Sequence, residues 1–408
     1  MTYSMSKSDF LFLAVLATLP IQLNKFFWPS HSFVLGLPID YRAITVYLSD
    51  LAIFAYLAIF VLENWRSLPK IYKDAKTIIW ILALFNLYLF FTSFLISYQP
   101  FPALWFTLKI FEFSLTSIAA SVTFSKKNLH GVIRHVITFS VLWQSALVIW
   151  QFVFQRTLGL WILGERTFDS STTAIAHAQI LGHQLLRPYG TFPHPNVAAA
   201  FFVISAIILS SLKLSKRITR VQIFSLLVPV VATLLTFSKS AILAIVLAGL
   251  IMRGSAKNLL FGLVFLAIIA VGSLKSVSDF QLATIAERLM LSQASLDITK
   301  VNPLFGVGSG NFILELSKLN LFSLAEIRLL QPVHNVFLLI LAENGIIGLL
   351  LFVSFLLVIA RQITTKPKVA IFIVILVFAS LDHFLWTLQQ GQLLFWLSAG
   401  YILSNQKN

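Results

Sequence analysis

The chain of 408 residues contains no cysteine, and only 11% of its residues are charged. The absence of cysteine excludes disulfide bonds and metal sites built from thiolates. In an average globular chain roughly a quarter of the residues are charged, and the low value here excludes a disordered chain and an acidic tail protein. Acidic residues are scarce, 15 against 30 lysines and arginines, and no aspartate-rich motif typical of a catalytic metal site is present.

Apolar residues, in contrast, make up 58% of the chain, and phenylalanine alone occurs 38 times. A water-soluble domain of this size could not bury so much apolar surface, so the composition predicts a polytopic membrane protein. Apolar stretches of about 15–25 residues predict an all-α fold with about 12 transmembrane helices in a single integral membrane domain, 1–408. The stretches lie near 9–23, 45–63, 77–97, 101–124, 135–154, 196–212, 221–237, 240–252, 258–274, 336–360, 368–383 and 390–404.

The basic residues cluster between the apolar stretches and predict the orientation of the chain. With both termini in the cytoplasm, the inner segments carry 18 lysines and arginines and the outer segments carry 11, as the positive-inside rule requires. This orientation places two long loops, 155–195 and 275–335, on the outer face of the cytoplasmic (inner) membrane. Their apolar residues, such as Trp161 and Phe322, favour ordered, partly helical pieces at the membrane surface. The net charge of +15 is therefore assigned to cytoplasmic loops, not to nucleic-acid binding.

Polar and turn-forming residues are densest just before the apolar stretch that begins near residue 196. This segment reads Arg187-Pro-Tyr-Gly-Thr-Phe-Pro-His194-Pro-Asn196. Pro195 is typical of a helix start, and Asn196 is the expected N-cap. Two interpretations remain open: a rigid turn at the helix entry, or an anion site in which Arg187 and the helix N-terminus face a phosphate.

Glycines alternate with other residues in Asn302-Pro-Leu-Phe-Gly306-Val-Gly308-Ser-Gly310-Asn311-Phe312. The pattern suits a tight backbone turn or a nest of amides close to a ligand. It is neither a Walker A loop nor a dinucleotide fingerprint, because the Gly-Lys-Ser/Thr ending and the third spaced glycine are missing. Upstream, Arg288 adds a guanidinium that either binds an anion or pairs locally with Glu287.

Further polar residues flank or enter the later apolar stretches. Asn335 is the expected N-cap of the stretch at 336–360, which puts His334 at the outer mouth of that helix. Glu343 falls two turns into the helix, where an ionisable group costs about 2.5–3.5 kcal/mol, so we expect it to face a cavity or a partner. Lys109 and Glu112 share a helical face within another stretch and are expected to pair.

Two short outer turns carry the remaining polar residues. One contains Asp382-His383, followed by Trp386 and the glutamines 389, 390 and 392. The other reads Ser238-Lys239-Ser240, and Lys239 either binds an anion or extends to the lipid headgroups.

Taken in order, these segments resemble the O-antigen ligase and O-antigen polymerase family of membrane glycosyltransferases. The matching segments, which span about 185–350, are Arg187 to Asn196, Ser238 to Ser240, Asn302 to Phe312, and His334-Asn335 with Ala342-Glu-Asn-Gly345. The resemblance implies a GT-C-like fold and a donor glycan linked to a polyprenyl pyrophosphate such as undecaprenyl pyrophosphate. It also implies transfer, on the outer face, to a hydroxyl of a glycan, lipid or protein acceptor, as in the synthesis of lipopolysaccharide and other envelope polysaccharides. The resemblance does not separate ligases from polymerases or from protein O-oligosaccharyltransferases.

The resemblance also implies roles for individual residues. Arg187 and Arg288 would bind the pyrophosphate and His334 would assist the acceptor, which makes these three the predicted catalytic residues. Lys239 stands where the family commonly has arginine, so a point charge replaces a bidentate fork there. Further substrate contacts are expected from His194, Asn196, Lys239, Gly308, Asn311, Asn335, Glu343 and His383.

No cofactor and no metal is expected, because cationic side chains can stabilise the charge that develops on a departing pyrophosphate. Neutral histidine is well suited to accept the hydroxyl proton near pH 7, and attack opposite the leaving group would invert the anomeric centre. His194 and His383 compete with His334 for the role of base. A transporter or flippase of lipid-linked saccharides is the alternative function, although no repeat symmetry is visible and the unusual residues concentrate on one face.

Overall fold

The computed structural model describes residues 5–180, 183–212, 220–254, 279–319 and 329–405. Eleven of the twelve predicted apolar stretches coincide with helices, and the stretch at 258–274 lies outside the described residues. The helices that correspond to the eleven stretches are Lys7–Thr18, Leu48–Asn64, Lys76–Leu95, Pro100–Phe124, His130–Phe154, Pro195–Ser211, Arg220–Leu235, Lys239–Arg253, Val336–Ala360, Lys366–Leu381 and Gln389–Leu403.

Several of these helices are long and apolar enough to cross a membrane. Within the described ranges the spans that qualify are Leu48–Asp74, Lys76–Leu95, Pro100–Phe124, Lys127–Phe154 and Val336–Ala360. Pro195–Ser211 and Phe224–Leu235 are shorter apolar helices. The prediction of a helical, multi-pass membrane protein is thereby confirmed, whereas the count of twelve spans and their orientation stay predictions.

The helix Pro195–Ser211 occupies the interior of the bundle, because nearly all of its side chains are buried. It packs against His130–Phe154, Arg220–Leu235, Lys239–Arg253 and Lys366–Leu381. A helix that is apolar on every side is expected in such a position. Its first turn, next to the polar segment around His194, is therefore held rigidly by neighbours on all sides.

A buried ion cluster joins three other helices. Lys109 Nζ lies 2.8 Å from Glu112 Oε2, which confirms the predicted pair, and 2.5 Å from Asp50 Oδ1. Asp50 also accepts a hydrogen bond from Gln389 at the start of the last helix. The charged groups are thus partnered within the protein, as charges inside an apolar bundle must be.

The connections between helices contain short antiparallel strands, which the all-α expectation did not include. Asn24–Phe27 pairs with Ile44–Tyr47, Phe33–Val34 with Leu37–Pro38, and His177–Ile180 with His183–Leu186. Loop 155–195 is therefore ordered, as expected, but by a hairpin and a short 3₁₀ turn at Trp161–Leu163. Strands of two to four residues are too short to leave a clear alternating pattern in the sequence.

The second long loop is partly helical, as predicted. It contains the helices Asp279–Val301 and Phe312–Leu316, and the glycine-rich segment lies between them. Residues 320–328, which include Phe322, lie outside the described residues.

Candidate functional site

A cavity of about 580 Å³, here called the main cavity, opens where several of the predicted outer segments meet. The main cavity lies at the ends of helices. It is bounded by residues 24–47, here called the first hairpin, by the loop that contains Gly164 and Arg166, and by the turns that precede the later helices. Its lining includes Gln22, Asn24, Phe26, Asp40, Tyr41, Tyr47, Arg166, His194, Gln331, His334, Asp382, His383, Thr387, Gln389 and Gln390.

Asp382 lies at the centre of a group of polar side chains at the wall of the main cavity. The helix Lys366–Leu381 ends because Asp382 adopts an extended conformation, with φ of −157°. Its carboxylate accepts hydrogen bonds from Asn196 Nδ2 at 2.6 Å and from the backbone N–H of His383 at 2.7 Å. His334 Nδ1 lies 3.5 Å from Asp382 Oδ1, and His383 Nε2 lies 4.0 Å from the same oxygen. We call Asp382–His383 the aspartate turn.

The segment before Pro195 folds as a helix entry, but the capping residue differs from the prediction. His194, not Asn196, is the N-cap, and its Nδ1 accepts a hydrogen bond from the backbone N–H of Asn196 at 3.1 Å. The prediction was wrong because the proline already occupies the first helical position, so the residue before it takes the cap. The side chain of Asn196 is thereby free to bridge Arg187 and Asp382.

The imidazole rings of His334 and His383 lie close together, with ring centroids 5.2 Å apart. His383 is held by a 2.7 Å hydrogen bond between its Nδ1 and Thr387 Oγ1. The side chain of His334 is 21% exposed, against 5% for Asp382 and 6% for His383. Among these three side chains, His334 is therefore the one that an incoming substrate can reach.

Asn335 is the N-cap of the helix Val336–Ala360, as predicted, and accepts a 3.0 Å hydrogen bond from the N–H of Leu338. Its Nδ2 donates to the carbonyl oxygen of Ser380 at 3.1 Å. Asn335 thus links the start of the helix Val336–Ala360 to the end of the helix Lys366–Leu381, which precedes Asp382.

Burial keeps the side chains of His194 and His383 neutral at neutral pH. Burial, reinforced by the charge of Arg187, lowers the pKa of His194 to about 3. Burial also lowers the pKa of His383 to about 3, although the charge of Asp382 opposes the change. For Asp382, burial alone would raise the pKa, but the close approach of His334 and the neighbouring histidines hold the pKa well below its usual range. At neutral pH the wall therefore presents a carboxylate beside the uncharged imidazoles of His194 and His383.

The two predicted pyrophosphate arginines are both linked to the aspartate turn by hydrogen bonds, Arg187 through Asn196 and Arg288 through the residue before Asp382. Arg187 donates through Nε to the carbonyl oxygen of Thr236 at 2.8 Å and through Nη2 to Asn196 Oδ1 at 2.7 Å. Arg288 donates through Nη1 to the carbonyl oxygen of Leu381 at 2.9 Å. Burial lowers the pKa of Arg187 to about 10, so its guanidinium remains charged at neutral pH.

Two further cations lie close to this group. Lys239 begins the helix Lys239–Arg253 as an exposed residue, three positions after the Thr236 carbonyl that holds Arg187. Arg166 lies on the wall of the main cavity, with its guanidinium carbon 5.8 Å from the ring centroids of Phe168 and Tyr189. Sequence reasoning counted Arg166 among the outer basic residues but did not assign it to a site.

The glycine-rich segment 302–311, here called the glycine loop, packs against a break in the helix Val336–Ala360. Gly345 interrupts this helix with φ of +63°, and a Cβ there would lie 2.2 Å from the carbonyl oxygen of Leu304. A Cβ on Gly306 would lie 2.3 Å from the carbonyl carbon of Glu343. The backbone N–H of Gly308 donates to the carbonyl oxygen of Glu343 at 2.8 Å. These glycines therefore permit the close approach of two backbones.

The polar side chains around the glycine loop bond to the protein itself. Glu343 Oε1 accepts from the N–H of Phe312 at 3.2 Å, and Asn311 Nδ2 donates to Ser97 Oγ at 2.7 Å. Arg42, which is 2% exposed, donates to the carbonyl oxygen of Gly310 at 2.5 Å and to Asn311 Oδ1 at 3.2 Å. Of the two interpretations of the glycines, the tight turn is the one that the packing favours.

The structure thus brings together part of the predicted site and separates another part from it. His194, His334 and His383 share the wall of the main cavity, and Arg187, Arg288, Asn196 and Asn335 bond to the groups behind that wall. Gly308, Asn311 and Glu343 do not line the main cavity. Glu343 borders a separate cavity of about 30 Å³, which has room for no more than about one or two water molecules.

His334, Asp382 and His383 each offer one ligand atom, and these atoms lie within 4.8 Å of one another. By distance alone they could hold a divalent cation, since histidine nitrogen and carboxylate oxygen are common zinc ligands. The same arrangement also suits a carboxylate that orients a catalytic imidazole.

Asp382 is the most important residue that sequence reasoning did not assign to the site. The available signal was its position directly before His383 in a short turn at the end of an apolar helix. Its partner Asn196 lies 186 residues away, so no local pattern could connect the two.

Part of the chain is similar to a known protein family. Residues 223–353 match the family model described as O-antigen ligase, and no curated protein sequence matches the chain. The matched range includes Lys239, Arg288, the glycine loop, His334 and Glu343. The match confirms the resemblance to the O-antigen ligase family that the motifs indicated.

Proposed function

We propose that this chain transfers a glycan from a polyprenyl-pyrophosphate carrier to an acceptor hydroxyl on the outer face of the cytoplasmic membrane. The family match and the multi-pass helical fold support this class of reaction. The observation that carries the proposal is the approach of His334 Nδ1 to within 3.5 Å of Asp382 Oδ1 on the wall of a cavity large enough for a sugar, because a base oriented by a carboxylate is what hydroxyl attack requires.

In this proposal His334 accepts the proton of the acceptor hydroxyl. When Nδ1 carries the hydrogen and points to Asp382, Nε2 is left as the base. The acceptor oxygen attacks the anomeric carbon, its proton moves to Nε2, and the imidazolium is stabilised by the Asp382 carboxylate. His194 and His383 are less suitable bases, because each has a pKa of about 3. In addition, the Nδ1 of His194 accepts a hydrogen bond, which leaves the ring hydrogen on Nε2.

The bond from the anomeric carbon to the pyrophosphate oxygen breaks with its electron pair on the oxygen. Arg187 and Arg288, whose hydrogen bonds link them to the aspartate turn, would bind this leaving group, and Arg166 on the cavity wall is a third guanidinium that could contribute. Guanidinium groups stabilise the developing charge more in the transition state than in the ground state. The reaction would then need no metal, and attack opposite the pyrophosphate would invert the anomeric centre.

The test is transfer by the purified full-length protein, with an undecaprenyl-pyrophosphate glycan as donor and a panel of glycan, lipid and protein acceptors. We expect product from the wild type, none from His334→Ala, and an unchanged rate after treatment with EDTA. Analysis of the product linkage would show inversion. Absence of transfer to every acceptor, together with movement of the donor across vesicle membranes, would replace the proposal with the transporter alternative.

A further inference from the structure

Part of the wall of the main cavity consists of neutral amide side chains. Gln22, Asn24, Gln331, Gln389 and Gln390 all contribute to it. These residues come from the segment before the first hairpin, the hairpin itself, the turn before His334 and the start of the last helix. Amides donate and accept hydrogen bonds without charge, so this part of the wall suits an uncharged polar ligand.

Gln390 differs from the other glutamines on its helix. It is 2% exposed, and neither its Oε1 nor its Nε2 has a hydrogen-bond partner within the described residues. Gln389 donates to Ser49 and Asp50, and Gln392 donates to the carbonyl oxygen of Trp386 at 2.6 Å. Of the three buried glutamines at the start of the last helix, Gln390 is thus the one whose amide has no hydrogen-bond partner within the described residues.

Two other residues of the same wall also carry unpartnered atoms, namely Gln22 and His334, whose Nδ1 lies 3.5 Å from Asp382 Oδ1. Gln22 Oε1 is buried and has no hydrogen-bond partner in the part of the chain that the structure describes. Buried polar groups in native proteins are nearly always hydrogen-bonded, and an exception calls for a specific explanation. A ligand that fills the cavity and pairs with both glutamines supplies one.

Aromatic rings complete the surroundings of these amides. Phe26, Tyr41 and Tyr47 line the same cavity. Apolar ring faces combined with a few convergent polar groups are typical of small-molecule sites, and a volume of about 580 Å³ falls within their usual range of about 300–1,000 Å³. A sugar ring presents the matching chemistry, since it has apolar C–H faces and a rim of hydroxyls.

We infer that Gln390 and Gln22 form a pyranose subsite and that Gln390 determines which sugar is accepted. The inference deepens the proposed function and rests on it. The paired donor and acceptor of the Gln390 amide match two neighbouring hydroxyls or an acetamido group. Because a site built to hydrogen-bond a hydroxyl rejects an analogue without it, the subsite would discriminate between sugars that differ at one position.

The experiment measures sugar binding without turnover. Saturation-transfer NMR on the full-length protein in detergent would use glucose, galactose, N-acetylglucosamine and N-acetylgalactosamine as probes. We expect at least one of these sugars to bind saturably to the wild type and about ten- to a hundredfold more weakly to Gln390→Met. The matched control is Gln392→Met, which removes a buried amide from the same helix away from the cavity and should bind the sugar like the wild type.

Equal binding by the wild type and Gln390→Met, or the absence of saturable binding by all four sugars, would overturn the inference. Transfer kinetics would then show whether the bound sugar ring belongs to the donor or to the acceptor. Gln390→Met should raise the KM of whichever of these two substrates carries that ring. A protein that binds sugar through Gln390 but transfers none would refute the proposed function alone. Transfer by the wild type with unaltered sugar binding in Gln390→Met would refute the subsite alone.

Discussion

The aspartate turn and the glycine loop have similar polar surroundings, since a buried carboxylate, an asparagine and an arginine lie at each. Around the glycine loop, Glu343, Asn311 and Arg42 bond to backbone groups and to other protein side chains, and none of the three lines the main cavity. At the aspartate turn, Asp382 likewise bonds to protein groups, but Asp382 and His383 also line the main cavity. Access to the cavity thus distinguishes a site for a ligand from a joint between segments, which here is the packing of the glycine loop against the helix Val336–Ala360 at Gly345.

The largest effect should follow from His334→Ala. Removal of a general base lowers rates by about 10²–10⁴, so we expect transfer to be lost while the donor still binds through the arginines. Gln in this position can orient a hydroxyl but cannot take its proton, so His334→Gln should be equally slow. Transfer rates and donor binding of the purified variants provide the measurement.

The matched control is His177→Ala, a half-buried histidine in the strand His177–Ile180 that does not line the main cavity, which should keep the wild-type rate. Normal turnover by His334→Ala together with loss of transfer in His194→Ala or His383→Ala would move the base to another residue on the same wall.

Arg187→Lys and Arg288→Lys should each reduce transfer about ten- to a hundredfold, because an ammonium cannot reproduce a charge-assisted bidentate contact. Rates in membranes that contain equal amounts of protein would measure the loss. Arg361→Lys, an exposed arginine at the far end of the helix Val336–Ala360, serves as control. Near-wild-type rates in both variants would remove these arginines from the pyrophosphate and leave Arg166 as the candidate.

Gly345→Ala tests the joint. Its φ of +63° is unfavourable for alanine, and the added Cβ would lie 2.2 Å from the carbonyl oxygen of Leu304, a strain of about 1–3 kcal/mol or more. We expect a lower Tm but substantial transfer per folded molecule. Gly249→Ala is the matched control, because no atom lies within 4 Å of its Cβ position. An unchanged Tm for Gly345→Ala would contradict the close packing.

Acid should destabilise the folded protein through the buried histidines beside the aspartate turn. The pKa of His194 and of His383 is about 3 in the folded protein, against 6.5 for a free side chain. Between these values the unfolded chain binds protons that the folded chain does not, so stability falls as the pH drops from 6.5 towards 3. Asp382, whose pKa is depressed, contributes stability that is present above pH 3.8 and lost only at lower pH.

The measurement is the Tm at pH 7.5 and at pH 5.5. His194→Asn keeps a good helix cap but removes one titrating group, so its Tm should fall less than that of the wild type. His177→Asn should fall as much as the wild type. Equal falls in His194→Asn and the wild type would show that His194 is not the group that takes up the proton on unfolding.

The smallest effect is expected from Glu343→Gln. The amide oxygen can still accept the hydrogen bond from the N–H of Phe312, so transfer should stay within about threefold of wild type, the equivalent of less than about 1 kcal/mol. A loss as large as that of His334→Ala would place Glu343 in the site and remove the distinction between the two regions.

Structural features that depend on residues close together in the chain could be predicted from the sequence. Apolar runs located the helices, and Asn335 before such a run correctly indicated a cap. The cap at His194 was missed because the rule for proline at the first helical position competes with the preference for asparagine. The aspartate turn could not be assembled from the sequence, because its bonds join Asn196, His334 and Asp382 across long stretches of chain.

Arg42 has a consequence for the order in which the protein is assembled. Its guanidinium also donates to the carbonyl oxygen of His31 at 3.0 Å, but its partners Gly310 and Asn311 lie more than 260 residues later. Arg42 also donates to Gln99 Oε1. A buried cation that lacks part of its hydrogen bonds is costly, so we expect the first hairpin to reach its final packing only after residues 310 and 311 have been synthesised. Tyr41, next to Arg42, lines the main cavity. We therefore expect this part of the cavity wall to be completed late in folding.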